Sequence, residues 1–242
     1  MFWARRRSPR RSACRRRPAA WRWFSAAAAA AVTDTGIRAD ELERYGERMS
    51  PNLLRDWIFP KLGLFGGEGI ARFVNARVGG RTIESLPMRF AAIGTDLRSG
   101  ERVILDRGDL GLAVRASTSV PGLVEPARIG GRALVDGNLA SPVPVDAARA
   151  LGAKRVIAVD VTFPPEQADL GDPYDALYQA FSILTRRLAL EERDRADAMI
   201  APRLPEHHDM SKATLTSLVE AGERAALEAM PRIRALFAMA GG

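Results

Sequence analysis

The stretch from Val143 to Val161 constrains the fold of this chain more than any other. Pro144 stands near the start of a helical stretch, Gly152 follows its end, and Val156-Ile157-Ala158-Val159 then runs without a polar break. Proline is tolerated in a first helical turn and glycine closes a helix, so Val143 to Leu151 reads as a helix. A short apolar run without alternation is the pattern of a parallel strand covered on both faces, which makes Arg155 to Val161 the expected central strand.

The rest of the chain from Thr35 repeats the alternation. Ala39 to Met49 reads as a charged helix closed by Ser50-Pro51, because proline disfavours helical geometry in the residue before it. Gly69 to Val78 places Ile70, Phe73, Val74 and Arg77 at helical spacing and stops at Gly79-Gly80. Arg89 to Asp96 and Arg102 to Leu105 read as strands separated by the turn Arg98-Ser99-Gly100. Asp109 is an acidic cap for a helix to Arg115, and Ala133 to Val135 is a short strand leading into Asp136-Gly137. Tyr174 to Ala198 and Ser211 to Met239 are long helical stretches with the brief apolar segment Met199 to Ala201 between them. Strand and helix in alternation predict an α/β domain with a mainly parallel sheet.

Residues 1–33 are of another kind. Nine arginines and no acidic residue fall there, with three tryptophans and the run Ala26 to Ala31. Without those nine the basic residues are outnumbered by two by the 29 acids, so the formal charge of +7 describes the leader and the domain has no electrostatic reason to bind nucleic acid. An Arg-rich segment followed by a short apolar stretch is one form of secretory or transit signal. The same Arg/Ala/Pro/Ser/Trp mixture also arises when GC-rich coding DNA is read out of frame. Trp21 to Val32 is interrupted by Arg22 and falls short of the roughly 20 apolar residues of a membrane-spanning helix.

Few residues offer chemistry. Cys14 is the only cysteine, which excludes an intrachain disulfide and a thiolate metal cluster. His207-His208 has no second group at metal-ligand spacing and reads as a solvated loop. The cluster Gly63-Leu64-Phe65-Gly66-Gly67-Glu68-Gly69 follows no expected strand and reads as a turn into a helix rather than an oxyanion loop or a dinucleotide site. Asp136-Gly137 is, on local grounds, a common hairpin turn. Ser117 and Ser119 lack the flanking glycines of a strained nucleophile elbow, and no Gly-x-Ser-x-Gly occurs in the chain.

Several separated blocks recur in the order and spacing of the bacterial patatin-like phospholipases: Arg115-Ala116-Ser117-Thr118-Ser119-Val120-Pro121-Gly122, Arg132 to Asn138, Pro142-Val143-Pro144-Val145, and Gly152-Ala153 to Asp160. The resemblance covers roughly Gly36 to Phe237. It implies a three-layer α/β/α fold with a mainly parallel central sheet, and hydrolysis of lipid acyl esters by a Ser-Asp dyad without a cofactor or metal. Asp136 would be the base of that dyad, with Asp136, Gly137 and Asn138 standing where the family has Asp-Gly-Gly/Ala. Asn138 departs from the motif, with a larger effect expected on loop packing than on chemistry. Ser117, Ser119, Pro121 and Gly122 would be cleft wall. The family's serine sits in a Gly-x-Ser-x-Gly elbow behind a glycine-rich oxyanion loop, and by alignment with Gly36 to Glu43 the elbow would fall at about residues 5–25, where the leader stands. The expected organisation is therefore a leader, 1–33, and a patatin-like domain, 34–242, without its first strand and elbow.

Three readings follow: a lipid acyl hydrolase inactive as written, the same scaffold as a catalytically dead lipid-binding or interaction protein, and an exported binding protein whose leader is a signal. The first carries a lipid or acyl-ester partner, peripheral membrane contact, and a cytoplasmic or membrane-peripheral location. The third carries export.

Overall fold

The structure, a computed structural model, describes residues 62–162, 173–204 and 212–238. The leader with Cys14, the helix expected at 39–49 and the pair His207-His208 lie outside the described residues.

The first described strand, β1 (Gly63–Phe65), turns into α1 (Glu68–Val78). The glycine cluster therefore does contain a strand, which lies parallel to β4 (Gly122–Val124). Gly63 permits it, since a Cβ there would stand 2.4 Å from the Glu125 amide nitrogen. Gly67, at φ 80, then opens α1, and Gly79, at φ 65, ends it. Helix α1 buries Val74 and Val78 against α2 (Leu110–Ser117), where Gly111 lets the two backbones meet: a Cβ at 111 would lie 2.4 Å from the Ala71 carbonyl oxygen. Asp109 caps α2 by accepting from the Leu112 amide and also receives the Asn75 side-chain amide at 2.9 Å, so one carboxylate ends a helix and fastens it to its neighbour.

Strands β2 (Ala92–Asp96) and β3 (Arg102–Leu105) pair antiparallel, with Ala92 opposite Leu105 and Thr95 opposite Arg102. Strands β5 (Ala127–Ile129) and β6 (Arg132–Asp136) are joined through Gly130-Gly131, both at positive φ, as a two-residue hairpin requires. Together they make a four-stranded sheet in the order β3-β2-β6-β5, under which Phe90, Leu105, Leu110, Val114 and Leu134 form the larger core cluster.

Beyond β6 come α3 (Val145–Ala150), β7 (Ile157–Val159), the long α4 (Pro173–Arg193), β8 (Ala198–Ile200) and α5 (Lys212–Ala238). Strands β7 and β8 pair parallel, and Val143, Val145, Ala148, Val156, Ala158 and Ala189 form a second core cluster there. The fold is α/β. Its parallel pairing is confined, among the described residues, to β1 with β4 and β7 with β8; the four-stranded sheet is antiparallel throughout, with tight hairpins joining β2 to β3 and β5 to β6 and the longer connection from β3 to β5 bringing β6 antiparallel beside β2. The expected central strand at 155–161 is correspondingly shorter. Its one partner among the described residues is β8, and Val161 beyond it is 59% exposed. A continuous apolar run marks a strand but does not state how many neighbours it has.

Candidate active site

Strand β6 delivers Asp136 to its carboxyl end, paired with Gly94 of β2. The carboxylate turns forward to accept the Asn138 amide at 2.9 Å and so caps the single 3-10 turn Gly137–Leu139. Gly137 is obligatory for this geometry, since a Cβ there would lie 2.3 Å from the Ile93 carbonyl oxygen. Asp136-Gly137 is thus a strand end packed on its neighbour, not a hairpin turn. Two further bonds hold the backbone of Asp136: its amide donates to the Ser119 carbonyl at 2.9 Å, and its carbonyl accepts from the Thr95 hydroxyl at 2.8 Å. The second tie comes from β2 and the first from the loop that leaves α2, so sheet and loop are joined at this residue.

A pocket opens over the carboxylate, walled by Val120, Pro121, Asp136, Asn138 and Leu139 on one side and by Leu177, Phe181, Ser182 and Thr185 of α4 on the other. Most of this lining is apolar. Burial among it pushes the Asp136 carboxyl up to about 6, opposed among the described residues by the hydrogen bond from Asn138. A carboxylate raised by desolvation above its ordinary value, in a cleft, has the character of a general base poised near neutrality. No group of His, Cys, Asp or Glu among the described residues could hold a metal ion.

Of the four residues expected in the cleft wall, Pro121 lines the pocket. Ser117, Ser119 and Gly122 do not. Ser117 ends α2, and Gly122 begins β4 beside Gly63 at φ 79. Ser119 is fully buried, and its hydroxyl donates to the Arg115 carbonyl at 2.8 Å, so its contribution is the carbonyl that holds Asp136 from behind. Asn138 meets the carboxylate through its main-chain amide. Any residue except proline supplies that donor, which is why the departure from glycine or alanine at this position leaves the turn intact.

Leu177, Phe181, Ser182 and Thr185 escaped the sequence reading. They stand more than 40 residues beyond Asp136, on a helix whose apolar period carries no mark of the face that meets the cleft. No helix among the described residues is long and apolar enough to cross a membrane.

Comparison with known proteins adds three findings. The family model for patatin-like phospholipase matches residues 11–149, more than half of the chain. An uncharacterized NTE family protein of Mycobacterium tuberculosis is 30% identical over 206 residues, covering 74% of this chain and 35% of the relative. Patatin-like phospholipase domain-containing protein 7 of Mus musculus is 33% identical over 147 residues, covering 60% of this chain and 11% of the relative. The chain thus spans about a third of the length of the mycobacterial relative.

Proposed function

The chain belongs to the patatin-like phospholipase family, and on that premise we propose that it carries the general-base half of a lipid acyl-ester hydrolase, with Asp136 as the base of a Ser-Asp dyad. The observation that carries this reading is the raised Asp136 carboxyl at a strand end, facing an apolar pocket and lacking a counter-charge among the described residues. A serine hydroxyl attacks an ester carbonyl only as its proton is taken up by an adjacent base, and the developing oxyanion needs preorganised donors. Asp136 is placed to accept that proton. The apolar wall of Leu139, Leu177 and Phe181 suits an acyl chain better than a charged leaving group.

The 242 residues contain no Gly-x-Ser-x-Gly, and on this reading the chain as written forms no acyl-enzyme. It should not turn over a p-nitrophenyl ester or a phospholipid, and a fluorophosphonate probe should leave it unlabelled. A chain repaired with an upstream segment that supplies an elbow and oxyanion loop should gain both signals. In that repaired protein Asp136→Asn should lower turnover by about four orders of magnitude, as loss of one dyad member does. Its rate should also fall as pH drops through about 6, where the base becomes protonated. Stoichiometric labelling of the unrepaired chain at Ser117, Ser119 or the pocket hydroxyl Ser182 would overturn this assignment of the nucleophile.

A further inference from the structure

Helix α4 meets the Asp136 loop at two places. Its N-terminal half supplies the far wall of the pocket, and its last turn carries Glu192, a carboxylate on a residue only 7% exposed. Glu192 reaches back across the interface to the segment that follows the Asp136 turn. Its Oε1 accepts from the Ser141 hydroxyl at 2.5 Å, and its Oε2 accepts from the Val143 amide at 2.9 Å. Both donors belong to buried residues. Arg102 of β3 stands 3.8 Å from Oε1, and Asp146 of α3 contributes a like charge nearby. Burial pushes the Glu192 carboxyl up, against the pull of Ser141, Val143 and Arg102.

The bonds run on from there to Asp136. The Ser141 amide donates to the Gly137 carbonyl at 2.9 Å, the Ala140 amide to the same oxygen at 3.1 Å, and the Asn138 amide to the Asp136 carboxylate. A continuous set of hydrogen bonds therefore joins the end of α4 to the base, while the same helix forms the opposite wall of the pocket. If Glu192 were absent, the Ser141 hydroxyl and Val143 amide would be left buried without their acceptor, and hydration of these groups would draw the segment away from α4.

We infer that Glu192 is a positioning residue for Asp136: from α4 it clamps residues 141–143, so that the Asp136 turn and the Leu177-Phe181 wall keep their separation and the pocket opens no further to water. This rests on the reading of Asp136 as a base, and it is tested without turnover. In the full chain labelled with carboxyl-13C aspartate, the Asp136 signal is assigned by its loss in Asp136→Asn and then titrated. Glu192→Ala should admit water and lower the Asp136 titration by about one unit or more, from about 6 toward the ordinary 3.8. Glu192→Gln should keep it near 6, with the amide oxygen accepting from Val143 and the amide nitrogen donating to Ser141. Val145→Ala, in the same core cluster, should lower the melting temperature and leave the titration in place. Should Glu192→Ala not fold, Ser141→Ala is the second variant, with a smaller fall in the same direction. A Glu192→Ala protein that melts earlier but still titrates Asp136 near 6 would overturn the inference, as would an equal fall in Glu192→Gln, or a folded Ser141→Ala without change. Failure of the repaired chain to hydrolyse esters would count against the dyad and leave the titration result standing.

Discussion

Asp136 and Asp160 both stand where a strand ends, Asp136 closing β6 and Asp160 following β7, and each turns its carboxylate onto the backbone amide two residues ahead, at 2.9 Å in both cases. Around this shared turn the surroundings differ. Asp160, 4% exposed, also accepts from the Thr162 hydroxyl at 2.6 Å and pairs with Arg186 at 3.1 Å and Arg193 at 3.2 Å. Asp136 has no such cation among the described residues and faces Leu177 and Phe181 instead. Arg186 and Arg193, like Leu177 and Phe181, come from α4. One helix thus pairs one aspartate with cations and desolvates the other. A carboxylate held by two guanidinium groups is a structural joint, whereas a carboxylate in an apolar pocket is strained in its charged form and ready to take a proton.

Removing each carboxylate in turn should separate the two sites most clearly, because the two losses should have opposite signs. Asp160→Ala strands two arginines and the Thr162 hydroxyl. It should cost about 2–4 kcal/mol in urea denaturation at pH 7, below the loss for a fully buried pair because both arginines keep about a quarter of their side chains in water. Asp136→Asn should instead stabilise the chain at pH 8, by up to about 3 kcal/mol, since a carboxyl raised from 3.8 to about 6 costs roughly 1.4 kcal/mol per unit when ionised. The pH dependence follows the same sign. Between about 4 and 6 the folded state holds more protons than the unfolded chain, so the Asp136 contribution to stability declines as pH rises through that window and is level above it. The difference between wild type and Asp136→Asn, followed by urea denaturation from pH 4 to pH 8, should show that decline, and a constant difference would contradict the burial of Asp136. The smallest effect comes from giving Asp136 what Asp160 has. Leu177→Arg, placing a guanidinium in the pocket wall, should lower the Asp136 titration by about one unit, read by the same carboxyl NMR. No movement would mean that the wall of α4 does not govern the charge on Asp136.

Much of the scaffold was legible because its signals are local. Asp109 before an apolar-periodic segment is a cap wherever it occurs, and in the structure it accepts the Leu112 amide as a cap does. Gly79 ends α1 at φ 65, and the hairpin of β2 and β3 turns where Gly100 allows φ 77. The position of Asp136 at a strand end was equally readable from Ala133 to Val135 running into Asp-Gly. The resemblance implies cleft wall for Ser119, but the packing of α2 and β6 buries it completely, and no pattern along the chain marks that burial. The strand in Gly63-Leu64-Phe65 went unread because three residues have no period, and only the β4 backbone across from Gly63 makes them one.

The long helices, their caps, the turn at Gly100 and the carboxylate that ends β6 are legible along the chain, since each depends on residues within one or two turns of one another, whereas β1, β4 and β5 are strands only through the partners they meet. The surroundings of that carboxylate come from tertiary packing. Asp136 and Asp160 make the same local turn, and the burial that raises one and the arginines that bind the other arrive on a helix up to more than 40 residues away, through packing that no local pattern encodes.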